Sequence, residues 1–206
     1  MTLSLLADIG GTNTRVALAD GHRLREASIR KFRNRDFAGI GGLLARYMAE
    51  ENVQGLTGAC VAAAGPVQDG AVTMTNLFDE AGAPWIIDRA GVTRATGAAT
   101  VAVLNDLQAQ GQALGHIASA NLRTVIEGPA QPGRSMLVVG LGTGVNAAPV
   151  HQTRLGRVVP PSECGHVNMP ARGAEGLRLQ RFIEALLAAR GEVAHAGVEE
   201  VLSGRG

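Results

Sequence analysis

The chain has 206 residues, of which 46% are apolar and 18% are charged, and this balance excludes a globally disordered protein. The 19 Lys and Arg residues against 18 Asp and Glu give a net charge of +1, so no general attraction to nucleic acid or to an anionic membrane is expected. The two cysteines, Cys60 and Cys164, exclude a disulfide framework and a cysteine-rich zinc site.

The first half of the chain predicts the order β-β-β-α-β. The predicted elements are strands at 3–9, 14–19, 25–32 and 57–63 and a helix at 36–51. Asp20-Gly21 is a strong hairpin signal between the second and third strands. Asp36 is the expected N-cap of the helix. Three antiparallel strands, a helix and a returning strand make one α/β unit.

The rest of the chain repeats the pattern of a strand, a glycine turn and a strand. Further strands are expected at 71–75, 85–87, 100–104, 135–140, 145–151 and 157–159, and helices at 88–96, 107–114 and about 174–190. A Gly- and Pro-rich link at 128–134 predicts a boundary between two lobes, 1–130 and 131–206. The N-terminus lacks a basic region and no apolar run is long enough to span a bilayer, so a cytoplasmic location is expected.

The segment Asp8-Ile9-Gly10-Gly11-Thr12-Asn13 is the first candidate site. Two glycines between strands let the backbone come close to a ligand, with amides and the Thr12 hydroxyl available to an anion. Asp8, at the end of the preceding strand, could hold Mg²⁺ through water. An ordinary β-hairpin with a hydrogen-bonded aspartate is the alternative.

A second glycine turn, Gly140-Leu141-Gly142-Thr143-Gly144, lies in the other predicted lobe. Alone, it is best interpreted as an ordinary turn. Two such hairpins, one in each lobe, would suit the phosphate chain of a nucleotide clamped between them.

Asn105-Asp106 follows an apolar strand. A carboxylate at the carboxyl end of a strand lies where ligands of α/β proteins bind. There Asp106 could take a proton from a hydroxyl group that attacks a phosphoryl group. The alternative, that Asp106 caps the next helix, carries equal weight.

Glu163-Cys164-Gly165-His166 places a carboxylate and an imidazole in one short loop. This pair suits the recognition of a polyol, because the carboxylate accepts hydrogen bonds and the imidazole donates or accepts them. A metal site lacks a third ligand nearby, and a structural histidine is the other alternative.

Two further features favour structural roles. Asn76 either faces the crevice of the candidate sites above or, as we favour, has a structural role in a turn. Six cations between Arg23 and Arg35 are typical of a solvated strand face, with RNA binding as the lesser alternative.

Together these segments resemble the bacterial glucokinase family of the hexokinase–actin–Hsp70 superfamily. The motifs that carry the resemblance are DIGGTNTRVAL at 8–18, AGPV at 64–67, MTN at 74–76, LND at 104–106, VVGLGTG at 138–144, ECGHV at 163–167 and EEVLSG at 199–204. Each motif alone is weak, but seven in register are specific.

The resemblance implies an α/β, ribonuclease H-like (actin-like ATPase) fold, with a first lobe and an incomplete second lobe. It implies ATP-dependent phosphorylation of the 6-hydroxyl of a hexose such as glucose, with Asp106 as general base and Mg²⁺ near Asp8. The implied sugar-binding residues are Asn105, Asp106, Glu163, His166 and Glu199. The implied nucleotide-binding residues are Asp8, Gly10, Gly11, Thr12, Asn13, Gly142, Thr143 and Gly144.

The chain departs from the family pattern at three places. Residues 77–84 insert an acidic loop, so that Trp85 is expected to be displaced. Residues 144–147 lack a glycine that many relatives have after the second turn. The sequence stops at 206, before the family's adenosine-binding segment, and the alternative function is therefore a truncated, weakly active or inactive sugar-binding remnant. Dimerisation is left open by the sequence.

Overall fold

The computed structural model describes residues 2–129, 131–142 and 144–204. By their internal contacts the residues form two units, Met1–Ala109 and Gln110–Gly206. This division falls earlier than the predicted link at 128–134, and the assignment of the two lobes stays a prediction. In the described part of the chain, no helix is both apolar enough and long enough to cross a lipid bilayer.

A five-stranded mixed sheet is the centre of the first unit. Its strands are β1 (Leu3–Ile9), β2 (Asn13–Asp20), β3 (Arg23–Arg33), β4 (Gly58–Ala63) and β8 (Thr100–Asn105), in the spatial order β3-β2-β1-β4-β8. A smaller sheet contains β5 (Val67–Gln68), β6 (Ala71–Phe78) and β7 (Pro84–Asp88). The helices are α1 (Ile40–Glu50), α2 (Arg89–Thr96) and α3 (Asp106–Ala113), the last of which crosses the division between the units.

Alternation along β1 determines which face of the sheet is buried. Leu5 and Ile9 are almost fully buried, whereas Asp8 between them in the pleat is exposed. The buried face packs against α1, whose Leu43 and Leu44 have no exposed surface. The opposite face is therefore free to carry polar side chains near the strand ends.

The parallel strands of this sheet end at the same level. Ile9 of β1 is in register with Ala63 of β4, and Ala63 is in register with Asn105 of β8. The residues that follow, Gly10 and Asp106, consequently begin at one edge of the sheet. This is the edge at which ligands of open α/β sheets bind.

Helix α1 begins later than predicted. Its N-cap is Gly39, and Asp36 instead ends a short 3₁₀ helix, Asn34–Asp36, so the expected capping role of Asp36 is wrong. The next residue, Phe37, is extended and meets the ring of Phe32 edge to face at 5.7 Å. This packing holds the segment out of the helix.

The second unit contains a three-stranded antiparallel sheet and two helices. The strands are β9 (Met136–Leu141), β10 (Val145–Thr153) and β11 (Gly156–Val158), and the helices are α4 (Gly173–Ala189) and α5 (Glu199–Leu202). Alternate residues of β9 expose a row of apolar side chains: Leu137 is 61%, Val139 53% and Leu141 69% exposed. This row of β9 is therefore not covered by the residues that the structure describes.

Candidate active site

The first glycine turn is a tight connection between β1 and β2. The N–H of Gly10 donates to the carbonyl oxygen of Asn13 at 3.0 Å. Thr12 is exposed, and Gly11 and Asn13 are half-buried. The turn therefore presents backbone and a hydroxyl group at the surface, as an anion-binding loop requires.

Asn34 holds this turn in place, and the sequence analysis missed it. Its side-chain Nδ2 donates to the carbonyl oxygen of Gly10 at 2.8 Å, and its Oδ1 accepts from the Thr14 hydroxyl at 2.8 Å. Its backbone N–H donates to the carbonyl oxygen of Thr12 at 3.0 Å. Asn34 is only 2% exposed, so these bonds are protected from water. A single asparagine after a strand has no sequence pattern that marks such a role.

Gly11 lies against the side chain of Asn76. A Cβ atom there would lie 2.5 Å from Nδ2 of Asn76, closer than a real contact allows. Asn76 itself is in β6, so the turn role favoured for it is wrong. The contact places the amide of Asn76 beside the first glycine turn.

Asp106 is the first residue of α3, at the edge where Gly10 begins. Burial raises the pKa of its carboxyl group, the N–H of Leu107 opposes this shift by donating to Oδ1 at 2.8 Å, and the nearby Asp8 raises the pKa further. An aspartate with a raised pKa is a better proton acceptor than one in water.

Asn105, not Asp106, is the N-cap of α3. Its Oδ1 accepts from the N–H of Leu107 at 2.9 Å, and its own N–H donates to Oε1 of Gln108 at 3.0 Å. These reciprocal bonds form a capping box. The alternative interpretation of Asp106 as the cap is therefore wrong. Because Nδ2 of Asn105 also donates to the carbonyl oxygen of Gly65 at 2.9 Å, the Asn105 side chain anchors the loop after β4.

Asp8 is the predicted magnesium residue. Its carboxylate is 58% exposed and lies 3.6 Å from the guanidinium of Arg15. Among the described residues, no group of three or more His, Cys, Asp or Glu could hold a metal by itself. Mg²⁺ is commonly held by one or two carboxylates together with substrate phosphates and water. The exposed carboxylate of Asp8, near the sheet edge at which Asp106 begins α3, fits such a site.

The second glycine turn lies between β9 and β10. The N–H of Gly142 donates to the carbonyl oxygen of Gly144 at 2.9 Å, and the carbonyl oxygen of Gly142 accepts from the N–H of Gly204 at 2.7 Å. Thr143, predicted to bind the nucleotide, lies outside the described residues. The contact with Gly204 ties the turn to the end of α5.

Glu199 lies beneath this turn and is only 7% exposed. Its carboxylate accepts from the N–H of Val145 at 3.0 Å. A Cβ atom on Gly144 would lie 2.5 Å from the same carboxylate, and one on Gly165 would lie 1.9 Å from the carbonyl oxygen of Val145. Glycine at both positions therefore allows the turn, the loop at 163–166 and the Glu199 carboxylate to meet.

Glu163 and His166 are exposed in the loop that this cluster supports. Asn146 holds the loop: its Oδ1 accepts from the N–H of Cys164 at 3.1 Å, and its Nδ2 donates to the carbonyl oxygen of Ser162. Asn146 occupies the segment where the sequence departs from the family pattern, and its role was not predicted. Cys164 is half-buried and has no assigned chemical role.

The predicted site residues thus form one group in each unit. The first unit has Asp8, Gly10, Gly11, Thr12, Asn13, Asn105 and Asp106 at the carboxyl edge of its sheet. The second unit has Gly142, Gly144, Glu163, His166 and Glu199 around its glycine turn. Their functional roles stay predictions. Each group combines a close-approach backbone turn with a carboxylate, which is chemistry suited to phosphate and hydroxyl ligands.

Comparison with known proteins identifies the family. A family model described as Glucokinase matches residues 5–206. The glucokinase of Marinobacter nauticus is 32% identical over 203 residues, which are 98% of this chain and 60% of that protein. The glucokinase of Caulobacter vibrioides is 33% identical over 207 residues, 99% of this chain and 59% of that protein. The chain thus spans about 60% of the length of these relatives.

Solved structures agree with the sequence relatives. A glucokinase from an Antarctic psychrotroph superposes with a TM-score of 0.76 at 28% identity, over 99% of this chain and 61% of that one. A glucokinase from Balamuthia mandrillaris in complex with glucose gives a TM-score of 0.65 at 26% identity, over 100% of this chain and 60% of that one. The predicted actin-like α/β fold and the predicted resemblance are confirmed: this chain belongs to the glucokinase family.

Proposed function

We propose that the protein of which this chain is all or part transfers a phosphoryl group from ATP to the 6-hydroxyl of a hexose, with glucose as the expected substrate. The relatives that the chain matches are glucokinases, and one related structure was solved with glucose. The reaction takes place in the cytoplasm in this proposal.

The observation that carries the proposal is the position and environment of Asp106. It follows the carboxyl end of β8, level with the first glycine turn, and burial raises its pKa. In the proposed reaction its carboxylate accepts the proton of the sugar hydroxyl as that oxygen attacks the terminal phosphorus of the donor. A raised pKa keeps the proton on Asp106 more readily once the bond to phosphorus has formed.

The sugar is held by groups that accept and donate hydrogen bonds. Glu163 and His166 are exposed on a supported loop, and their side chains suit the hydroxyl groups of a hexose. Glu199 and Asn105 complete the proposed set, although both also have structural bonds within their own units. These bonds orient the side chains before the ligand arrives.

The phosphate chain is held by backbone amides of the two glycine turns. No lysine is available for a P-loop, because Lys31 is the only lysine and no GxxxxG motif precedes it. The exposed carboxylate of Asp8 would hold Mg²⁺ through water. When bound, Mg²⁺ would neutralise negative charge on the phosphates.

A coupled assay of glucose 6-phosphate formation, together with calorimetry of glucose binding, tests the proposal. Asp106→Asn keeps a hydrogen-bonding group but removes the base, so the rate should fall by about 10²- to 10⁴-fold while glucose affinity changes little. If the natural sequence binds glucose but is no faster than Asp106→Ala, the kinase proposal is wrong for this chain and the sugar-binding alternative stands.

A further inference from the structure

A basic cavity adjoins the first glycine turn in the first unit. Its volume is about 690 Å³, and its wall includes the turn, the end of β3 and the β6–β7 hairpin. Three cations line it: Lys31, Arg33 and Arg35. No carboxylate is among its lining residues in the described part of the chain. The cavity is therefore positively charged on one side.

The structure divides the cations of β3 into two kinds. Arg25 binds the carboxylate of Asp20 at 2.7 Å, and Arg30 binds that of Glu51 at 2.5 Å. Within residues 2–129, Lys31 and Arg33 form no ion pair. Part of the cluster is therefore neutralised by carboxylates, whereas Lys31 and Arg33 keep their charge at the cavity wall.

The spacing of the cations points to an extended anion. Lys31 and Arg33 are two residues apart on one strand, so they emerge on the same face about 7 Å apart. Arg35 follows in the short 3₁₀ helix, where its Nε lies 3.8 Å from the exposed carboxylate of Asp36. A single phosphate cannot reach the whole row, whereas a chain of linked phosphates can contact several members.

Neutral groups of the wall complete the match to phosphate. The Thr12 hydroxyl and the Asn76 amide can donate to phosphate oxygens. Trp85 also lines the cavity: it is 3% exposed, and its Nε1–H has no hydrogen-bond partner among the residues that the structure describes. The Trp85 side chain packs in the core of the first unit, and its displacement relative to the family pattern stays a prediction.

We propose that this cavity binds a short oligophosphate chain, the chemical group shared by inorganic tripolyphosphate and the triphosphate of ATP. The proposal rests on the proposed function in one respect, because the cavity shares Gly11 and Thr12 with the predicted phosphate turn. It adds side chains that the family resemblance does not assign. The guanidinium groups supply bidentate bonds, and Lys31 supplies a point charge.

Isothermal titration calorimetry with tripolyphosphate tests the proposal on the whole chain. The test variant is Lys31→Gln/Arg33→Gln/Arg35→Gln, and the matched control is Arg23→Gln/Arg25→Gln/Arg30→Gln, which removes the same charge from β3 residues that do not line the cavity. We expect at least about tenfold weaker binding by the test variant, since charge-assisted bonds are lost, and less than about twofold change in the control. Equal affinities in the two variants, or no binding by the natural sequence, would overturn the proposal.

Trp85 is the only tryptophan, so its fluorescence reports occupancy of this cavity directly. Tripolyphosphate should change the emission of the natural sequence but not that of the test variant; an unchanged emission at saturation contradicts the proposal. Parallel titrations with ATP and with inorganic phosphate identify the ligand that carries the phosphate chain. If the test variant binds both ATP and tripolyphosphate more weakly than the natural sequence does, the cavity binds both ligands. If only its tripolyphosphate binding is weaker, the cavity binds the inorganic ligand. Inorganic phosphate bound as tightly as tripolyphosphate would contradict the proposal.

The Asp106→Asn variant separates this proposal from the proposed function. It should lose phosphoryl transfer while keeping its affinity for tripolyphosphate, because Asp106 does not line the cavity. If the natural sequence transfers the phosphoryl group but the test and control variants bind tripolyphosphate equally well, only the cavity proposal is contradicted. Selective tripolyphosphate binding without transfer in the natural sequence contradicts the proposed function alone.

Discussion

At the scale of single residues, the carboxyl group of Asp106 lies in an unfavourable environment for a charge. Burial and the nearby Asp8 both raise its pKa, and only local N–H groups oppose them. Such an arrangement costs stability when the group is ionised, and it is typical of residues retained for function.

The raised pKa predicts how stability changes with pH. Between the ordinary value of 3.8 and its higher folded value, Asp106 binds more protons in the folded state, so its contribution to stability falls as pH rises through that window. Asp106→Asn should therefore be more stable than the natural sequence at pH 7. Below pH 3.8 the difference should disappear. Urea unfolding at several pH values measures it, and a gain that grows on acidification would contradict the assignment.

Asn34 is the residue whose importance was least visible beforehand. Its position after a run of cations suggested only a solvated strand end, yet three hydrogen bonds connect it to the first glycine turn. Such a role depends on which segments the fold brings together, and that information is absent from local pattern.

Replacement of Asn34 should loosen the turn. Asn34→Ala leaves the Gly10 carbonyl and the Thr14 hydroxyl without their partners, so we expect a loss of about 2–4 kcal/mol in the free energy of unfolding. In variants that stay folded, the KM for ATP should rise more than kcat falls. Asn34→Asp keeps the acceptor for Thr14 but turns a buried carboxylate oxygen towards the Gly10 carbonyl, so it should show the kinetic effect with at least as large a loss of stability. Asn121→Ala, at an exposed position, is the control, and equal kinetics in it and in Asn34→Asp would refute the role.

At the scale of elements, most strands and helices were predicted to within a few residues, and the start of α1 is the main exception. Apolar alternation and the glycine turns predicted β1, β2 and β3 closely, because those signals are local. The start of α1 was not predicted, since Phe37 packs on Phe32 and overrides the cap signal of Asp36. The short helix α5 was also missed, because Glu199–Leu202 is too short to show a periodic pattern.

The candidate site was predicted in part for the same reason. The glycine turns and the strand-end Asp106 have recognisable local patterns, whereas Asn34, Asn76 and Asn146 act through distant contacts. Asn105 was predicted in part. Its position at the end of a strand was recognised in the sequence, but the capping box that it forms with Gln108 was seen only in the structure.

The loop that carries Glu163 and His166 is predicted to depend on Asn146. Asn146→Gly removes the bonds to Ser162 and Cys164, so the loop should lose its fixed position and glucose affinity should fall about tenfold, equivalent to about 1.4 kcal/mol. Calorimetry with glucose measures this effect. Gln152→Gly introduces the same residue at an exposed position of β10 and should leave the affinity unchanged. An equal loss in both variants would show that glycine in the strand, not the lost loop contact, is responsible.

At the scale of the whole molecule, the chain consists of two units that each bear a glycine turn. The first has a well-filled core around the central sheet, whereas the second leaves Leu137, Val139 and Leu141 of β9 largely exposed. Exposed apolar rows of this kind commonly mark surfaces that another segment or molecule covers.

Phosphorus NMR of a mixture of the chain, ATP and glucose tests the central claim most directly, because it identifies the atom that receives the phosphoryl group. We predict that a 6-phosphate ester of glucose accumulates with the natural sequence and falls by at least about 10²-fold with Asp106→Asn. Inorganic phosphate as the only product, or equal ester formation by the two proteins, would contradict the account.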